Sequence, residues 1–184
     1  MAFFAASDAF AQAKPHMAPR WDITEWLNSP GLELDDLRGK VVVIEFFQLW
    51  CPGCNKFSIP LMEYWEKQVF SKEVEEKRLA FVSIHTVFEG HQYQSPKRLR
   101  RFIKEKGITH PVGIDRHAEG QRVPETMKRY NTMGTPEMAL IDKKGRIRFQ
   151  RFGYFEPAYG EALIRKMLDE EQNTKSGNSL ATRQ

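Results

Sequence analysis

The side chains best placed to do chemistry are two thiols, Cys51 and Cys54, set three positions apart in Trp50-Cys51-Pro52-Gly53-Cys54. They are the only 2 cysteines in the chain, too few and too close together to serve as the disulfide framework of a small secreted scaffold. Where a strand feeds a helix through such a turn, unpaired amide N–H groups and the positive end of the helix dipole stabilise an anion. That makes Cys51 the candidate nucleophile and Cys54, one turn inward, the candidate resolving thiol.

Other uses of a CxxC pair make other demands. Haem attachment needs a histidine after the second cysteine, where Asn55 stands. A structural zinc site needs two further ligands, and His85, His91, His110 and His117 show no paired ligand spacing. Typical peroxiredoxin chemistry wants a threonine three residues before the cysteine, and Gln48 holds that place before Cys51. An inert buried pair is the remaining alternative.

The elements that must position the thiols can be read around them. Val41 to Phe47 is an apolar run broken only by Glu45 and preceded by Arg38-Gly39-Lys40, the pattern of a buried central strand. From Cys54 onward, Phe57, Leu61, Met62, Trp65, Val69 and Phe70 recur at helix spacing, with a kink expected at Pro60. Leu79 to His85 reads as a second strand. Ser95-Pro96 supplies an N-cap and a first-turn proline for a helix that runs to Lys106 and stops at Gly107. Pro111 to Ile114 suggests a short strand and Pro124 to Tyr130 a short helix. Glu137 to Ile141 and Arg146 to Phe152 form a hairpin about Asp142-Lys143-Lys144-Gly145, and Pro157 to Leu168 a last helix. The expected architecture is an α/β sandwich with a mixed central sheet flanked by helices.

At 184 residues and 41% hydrophobic content, the chain holds enough apolar material for one core. We assign 21–171 to that domain, 1–20 to an N-terminal arm or remnant of a targeting segment, and 172–184 to a polar tail without periodicity. The net charge of +4 is spread along the chain, which argues against nucleic acid as a partner. The densest basic run, Lys97 to Lys106, is interleaved with Leu99, Phe102 and Ile103, as on a solvated helix with one apolar face. No stretch is long and apolar enough for a membrane span. Ala11-Gln12-Ala13 resembles a signal-peptidase site, but no Lys or Arg precedes Lys14 and Asp8 interrupts the apolar run. An intact export signal is therefore not evident, and the location is left open between cytoplasm and periplasm.

Leu34-Asp35-Asp36-Leu37-Arg38-Gly39-Lys40-Val41-Val42-Val43 followed by Trp50-Cys51-Pro52-Gly53-Cys54 resembles the TlpA/ResA-like (redoxin) branch of the thioredoxin superfamily. Met133-Gly134-Thr135-Pro136 looks like that family's cis-proline loop. The resemblance covers roughly Trp21 to Leu168, and the two motifs in order are more specific than either alone. It implies a thioredoxin-like sandwich with an insertion between the second strand and the cis-proline loop. It also implies a thiol–disulfide oxidoreductase in which the Cys51–Cys54 disulfide is the redox centre and no cofactor is needed. The implied partners are protein disulfides or dithiols and an electron donor or acceptor, with substrate contacts at Trp50, Pro52, Gly53, Thr135 and Pro136.

Glu45, six residues before Cys51, falls where thioredoxin carries a buried acid beneath its active site. A carboxylate in an apolar strand is costly unless paired or protonated, so its pKa should rise to a range suited to proton exchange with Cys54. The structural alternative is a strand-edge glutamate paired with Lys or Arg. The sequence departs from the family's commoner pattern at Gln48-Leu49, at Pro52-Gly53 between the cysteines, and in His85-Thr86-Val87-Phe88-Glu89-Gly90-His91. His85 and His91 are read as structural or solvated. Two rival functions share the thiols: a redoxin-type peroxidase, with Cys51 reducing peroxide and Cys54 resolving the sulfenate, and a copper metallochaperone.

Overall fold

The computed structural model describes residues 15–170. The expected terminal segments, 1–20 and 172–184, lie outside those residues except for 15–20. Seven strands form one sheet: β1 (His16–Met17), β2 (Ile23–Leu27), β3 (Val41–Phe47), β4 (Leu79–His85), β5 (Val112–Asp115), β6 (Glu137–Ile141) and β7 (Arg146–Phe152). Their spatial order is β1-β7-β6-β3-β4-β5-β2. β3, β4 and β5 are parallel, while β6 runs antiparallel to β3 and the two outermost pairings are antiparallel. The helices are α1 (Ile59–Tyr64), α2 (Ser71–Glu75), α3 (Pro96–Lys106), α4 (Glu125–Arg129) and α5 (Pro157–Asp169). Residues between β4 and the Thr135–Pro136 loop supply α3, β5 and α4, the insertion that the resemblance implied.

β3 is buried along its whole length, as its near-continuous apolar run requires of a strand with neighbours on both sides and helices over it. Alternation sorts its side chains. Val42, Ile44 and Phe46 pack with Trp21, Leu34, Leu37, Val82, Ile84 and Ile141 on one face. Val41 and Val43 pack on the other against Leu61, Met62, Trp65, Ile164 and Met167. Phe47, next but one along that second face from Glu45, joins the two cysteines, Ile59, Leu99 and Ile103. Full burial of each such side chain stabilises the fold by about 1.5–3 kcal/mol.

The turns on either side of α1, which begins with Ile59-Pro60, are widened. The helical run leaving the cysteines is π-type over Cys54–Ser58, with the Ile59 N–H donating to the Cys54 carbonyl, and π-type again over Trp65–Val69. Pro60 has no N–H to give to the residue four before it, and it sits in the first turn of α1 just past that first wide turn. α3 begins and ends as its signals require: Ser95 Oγ accepts the Arg98 N–H, and Gly107 takes φ +69°. Its basic residues face solvent, with Arg100 paired to Glu25 and Arg101 to Glu105.

Two strands were not foreseen. β2 (Ile-Thr-Glu-Trp-Leu) is an edge strand pairing with β5 some 90 residues on, with a register shift between Ile23 and Glu25. β1 is only 2 residues long and pairs with β7. It lies in the segment assigned to the N-terminal arm, and Ala18 just after it is buried and donates its N–H to the Gly145 carbonyl.

Candidate active site

The carboxyl ends of the parallel strands share one edge of the sheet, where a strand-to-helix turn faces open space. β3 delivers Gln48 to Cys51 there, immediately after Phe47. β6 is antiparallel to β3, with Glu137 opposite Phe46, so the residues that precede β6 arrive at the same edge. Phe152, opposite Glu137, brings the end of β7 there as well. Topology therefore joins Cys51 to Thr135 and Pro136 across more than 80 residues of chain.

Cys51 and Cys54 are disulfide-bonded. Pro52 opens the helix, where its missing N–H costs nothing. The Cys54 backbone N–H donates to Cys51 Sγ at 3.0 Å, and Asn55 N–H to the Cys51 carbonyl at 3.0 Å. Cys51 thus receives an amide from the first turn of a helix, the contact that favours a thiolate once the disulfide is reduced. Cys51 lines a cleft of about 560 Å³ together with Trp50, Pro52, Gln48, Met133 and Thr135, whereas Cys54 is completely buried.

The Thr135–Pro136 peptide bond is cis. Gly53, between the cysteines, lies under the Pro136 ring: a Cβ there would sit 2.8 Å from Pro136 Cδ. Glu137 holds the loop from behind, accepting the Met133 N–H at 2.9 Å and a Gln150 amide N–H at 2.5 Å. Burial raises the Glu137 pKa. Trp50 is 46% exposed and Met133 80%, so the cleft has apolar walls open to solvent.

Glu45 is 1% exposed and lies on a central strand. Among the described residues no Lys or Arg meets it; Ser58 Oγ donates to its Oε1 and Ser83 Oγ to its Oε2 at 3.0 Å. Ser83 is its register partner on β4, and Ser58 lies one turn beyond Cys54 on the helix above. Desolvation raises the Glu45 pKa to about 7, against the lowering effect of the two hydroxyls.

Several residues at this edge carried no signal in the sequence. Gln48, noted above only as the replacement for a threonine, is buried, and its Oε1 accepts from Trp50 Nε1 at 2.8 Å and Gln94 Nε2 at 2.7 Å. Gln94 Oε1 in turn accepts the Leu49 N–H at 3.0 Å. The Trp50 ring packs tilted against Tyr93, centroids 5.6 Å apart, and lies over Gly90, where any side chain would run into it. Phe88, Glu89, Gly134 and Phe152 also line the cleft. His85 ends β4 buried against Phe47, 3.3 Å from Gln94 Oε1, and desolvation lowers its pKa to about 4. It is a neutral core histidine. His91 is exposed, its ring 5.3 Å from that of His117. Among the described residues, potential metal-binding atoms of Glu63, Glu66 and His110 converge within 4.8 Å. His110 hydrogen-bonds Glu66 and Lys67 pairs with Glu63, so the group is linked within itself.

A helix-capped CxxC disulfide beside a cis-proline, on a mixed sheet with helices on both faces, defines a thioredoxin-like thiol–disulfide oxidoreductase domain. The chain belongs to the redoxin family, whose model matches residues 27–163. It is 27% identical over 165 residues to the thiol-disulfide oxidoreductase ResA of Bacillus anthracis, covering 90% of this chain and 83% of ResA. The protein DipZ of Mycobacterium tuberculosis is 29% identical over 151 residues, 80% of this chain, which spans only 20% of DipZ. The crystal structure of a thiol-disulfide isomerase from Corynebacterium glutamicum superposes with a TM-score of 0.75 at 42% identity, covering 84% of this chain and 98% of that one. No helix among the described residues is long and apolar enough to cross a membrane.

Proposed function

We propose that the protein exchanges disulfides with protein substrates through Cys51 and Cys54, with Glu45 as the proton acceptor for Cys54. The reading rests above all on the Cys54 N–H donating to a Cys51 sulfur that faces the cleft, with Cys54 sealed behind it. In the reduced protein the Cys51 thiolate attacks one sulfur of a substrate disulfide, forming a mixed disulfide and expelling the other sulfur as a thiolate. Cys54 then gives its proton to Glu45 and attacks Cys51 Sγ, expelling the second substrate sulfur. Two electrons pass to the substrate and the Cys51–Cys54 bond closes. A partner dithiol resets the pair, and the same steps in reverse oxidise a dithiol substrate.

Substrate enters as an extended segment across the cleft, pairing with the free N–H and C=O of Thr135 as an added strand would. Pro136, packed against Gly53 between the cysteines, offers no N–H there. Pro52 and Gly53 keep the turn low, and Trp50, Met133 and Phe152 supply apolar contact. Replacing Cys54 with serine removes the resolving thiol, so partner proteins should accumulate as mixed disulfides on Cys51, released by reductant and identified by mass. Loss of trapping on further replacing Cys51 is the required control. Failure of Cys54→Ser to trap any disulfide-bonded protein or peptide overturns the assignment.

A further inference from the structure

Glu45 has its two oxygens turned to Ser58 and Ser83, and a proton passed to it from Cys54 must still reach water. The hydrogen bonds continue beyond Ser83. Ser83 Oγ lies 2.8 Å from His110 Nε2, and His110 Nδ1 lies 2.9 Å from Glu66 Oε2. Ser83 and His110 are buried, while the Glu66 and Glu63 side chains keep 13% and 17% of their surface in solvent. His110 comes just before β5, and its neighbour Pro111 accepts the Ser83 N–H at 3.0 Å, which fixes the ring beside β4. The titratable groups facing the ring are Glu63 and Glu66 from the helical run above and Glu45 through Ser83. Lys67 pairs with Glu63 and donates to the Gly107 carbonyl.

We propose that Ser83, His110 and Glu66 relay the proton of Cys54 from Glu45 to solvent, an inference that rests on Glu45 being the proton acceptor. Every link joins a donor to an acceptor. Protonated Glu45 gives its proton to Ser83 Oγ as Ser83 gives its own to His110 Nε2. The Nδ1 proton of His110 passes to Glu66, which loses it to water. One proton enters the chain, one leaves, and no net charge stays on the histidine. Afterwards Ser83 donates to the Glu45 carboxylate, and His110 has changed from the Nδ1–H to the Nε2–H tautomer. Reduction of the disulfide returns a proton to Cys54 along the same path in reverse and restores the first tautomer, so each redox cycle resets the relay. Ser83 and His110 are positioning residues in this scheme, since neither touches the reacting sulfurs.

The test separates the two thiols in time. Reduced protein is mixed with an aromatic disulfide whose thiolate halves are coloured: the first half released reports Cys51 attack, the second reports Cys54. Glu45→Gln should slow the second phase about 100-fold. His110→Gln, which keeps hydrogen-bonding groups but cannot carry a proton between its ends, and Ser83→Ala should each slow that phase about tenfold, less than loss of the acceptor itself. In both relay variants the rise of the second-phase rate with pH should move to higher pH, with the first phase near that of the parent; Ser83→Ala, which leaves buried Glu45 and His110 atoms short of a partner, should also lower thermal stability. Ser83→Thr, which restores a hydroxyl, should return the rate. A packing role would slow both phases together and would leave the pH profile in place. Slowing by Glu45→Gln alone overturns the relay and leaves the Glu45 assignment intact; a second phase unchanged in all three variants overturns both.

Discussion

Two carboxylates are buried on the strands that flank β4, Glu45 within β3 and Asp115 at the end of β5, and burial raises the pKa of both. Asp115, the last residue of β5, accepts the Thr126 N–H at 2.8 Å, the Met127 N–H at 3.0 Å and the Thr86 hydroxyl at 2.9 Å. It caps the start of α4, and two of its three donors are amides that never release their protons. Glu45 has only hydroxyl partners, each able to accept as well as donate, and one of them leads to a histidine. A raised pKa therefore does not by itself mark a residue for chemistry. What distinguishes the two sites is whether the partners can pass a proton on.

Replacing each acid by its amide should pull the two sites apart, and the effect at Glu45 is the largest expected. Glu45→Gln keeps an acceptor for one serine and turns an NH2 group toward the other, whose hydroxyl can accept as well as donate, so the fold should persist while Cys54-dependent release of the mixed disulfide slows by about two orders of magnitude. Asp115→Asn sets an NH2 group against amide donors and should cost about 1–3 kcal/mol of stability with release kinetics unchanged. Rapid-mixing kinetics and denaturant titration of both variants provide the check. Equal kinetic effects at the two positions would erase the distinction.

Stability against pH gives a second view. The folded pKa of Glu45, about 7, lies above that of an exposed glutamate, so the unfolded chain binds fewer protons between about 4.5 and 7. Stability from this group is complete below that window and is lost as pH rises through it. His85 has the opposite sign: its folded pKa of about 4 lies below the ordinary 6.5, so its contribution is lost as pH falls through that range. Each contribution amounts to at most about 3 kcal/mol, and over the shared range, about 4.5 to 6.5, the two run in opposite senses and largely offset each other. Urea unfolding of the parent should therefore change little with pH there through these two groups, whereas Glu45→Gln should leave the His85 contribution alone, so that stability rises with pH through the same range. A variant whose pH dependence matches the parent's would mean that Glu45 is not the group responsible.

How much of this was legible in the sequence follows from how local each signal is. The bounds of β3, β4 and α3 and the hairpin of β6 and β7 follow from apolar runs with glycine, proline or N-cap punctuation in the adjoining residues. The CxxC turn and the Thr135-Pro136 string are likewise short and contiguous. Edge strands β1 and β2 gave no such pattern because partners distant in the chain, β7 and β5, make them strands. The surroundings of Glu45 were less legible still. Ser58 and Ser83 are unremarkable in sequence, and they meet the acid because β4 lies in parallel register beside β3 and a wide helical turn lies above. His110 appeared as a lone histidine without ligand spacing. Its place in the hydrogen-bonded chain depends on β5 pairing with β4 and on Glu66 facing it from a helix 44 residues away.

Gln48 and Gln94 form a third buried polar cluster, this one with no group that titrates near neutrality, and the smallest effects are expected there. Gln94 bridges the Leu49 N–H, the Gln48 side chain and the Glu89 carbonyl, and through Gln48 it steadies the Trp50 indole N–H. If the capacity to move protons decides chemical importance, truncating Gln94 should leave the Cys54 step and its pH profile alone. Its consequence belongs to the other half of the reaction: with the Leu49 amide and Gln48 Oε1 each short of a partner, Trp50 loses its support at the cleft wall. Gln94→Ala should therefore cost about 1–2 kcal/mol of stability, the size expected for unpaired buried groups. It should also slow attack by Cys51 on a peptide disulfide only a few-fold, and loosen Trp50, seen as lower fluorescence anisotropy in a chain whose other tryptophans are changed to phenylalanine. A shifted pH profile for Cys54 in Gln94→Ala would show that a network with no member titrating near neutrality, its His85 neighbour lying at about 4, also governs proton transfer, and the contrast between Glu45 and Asp115 would then need another cause.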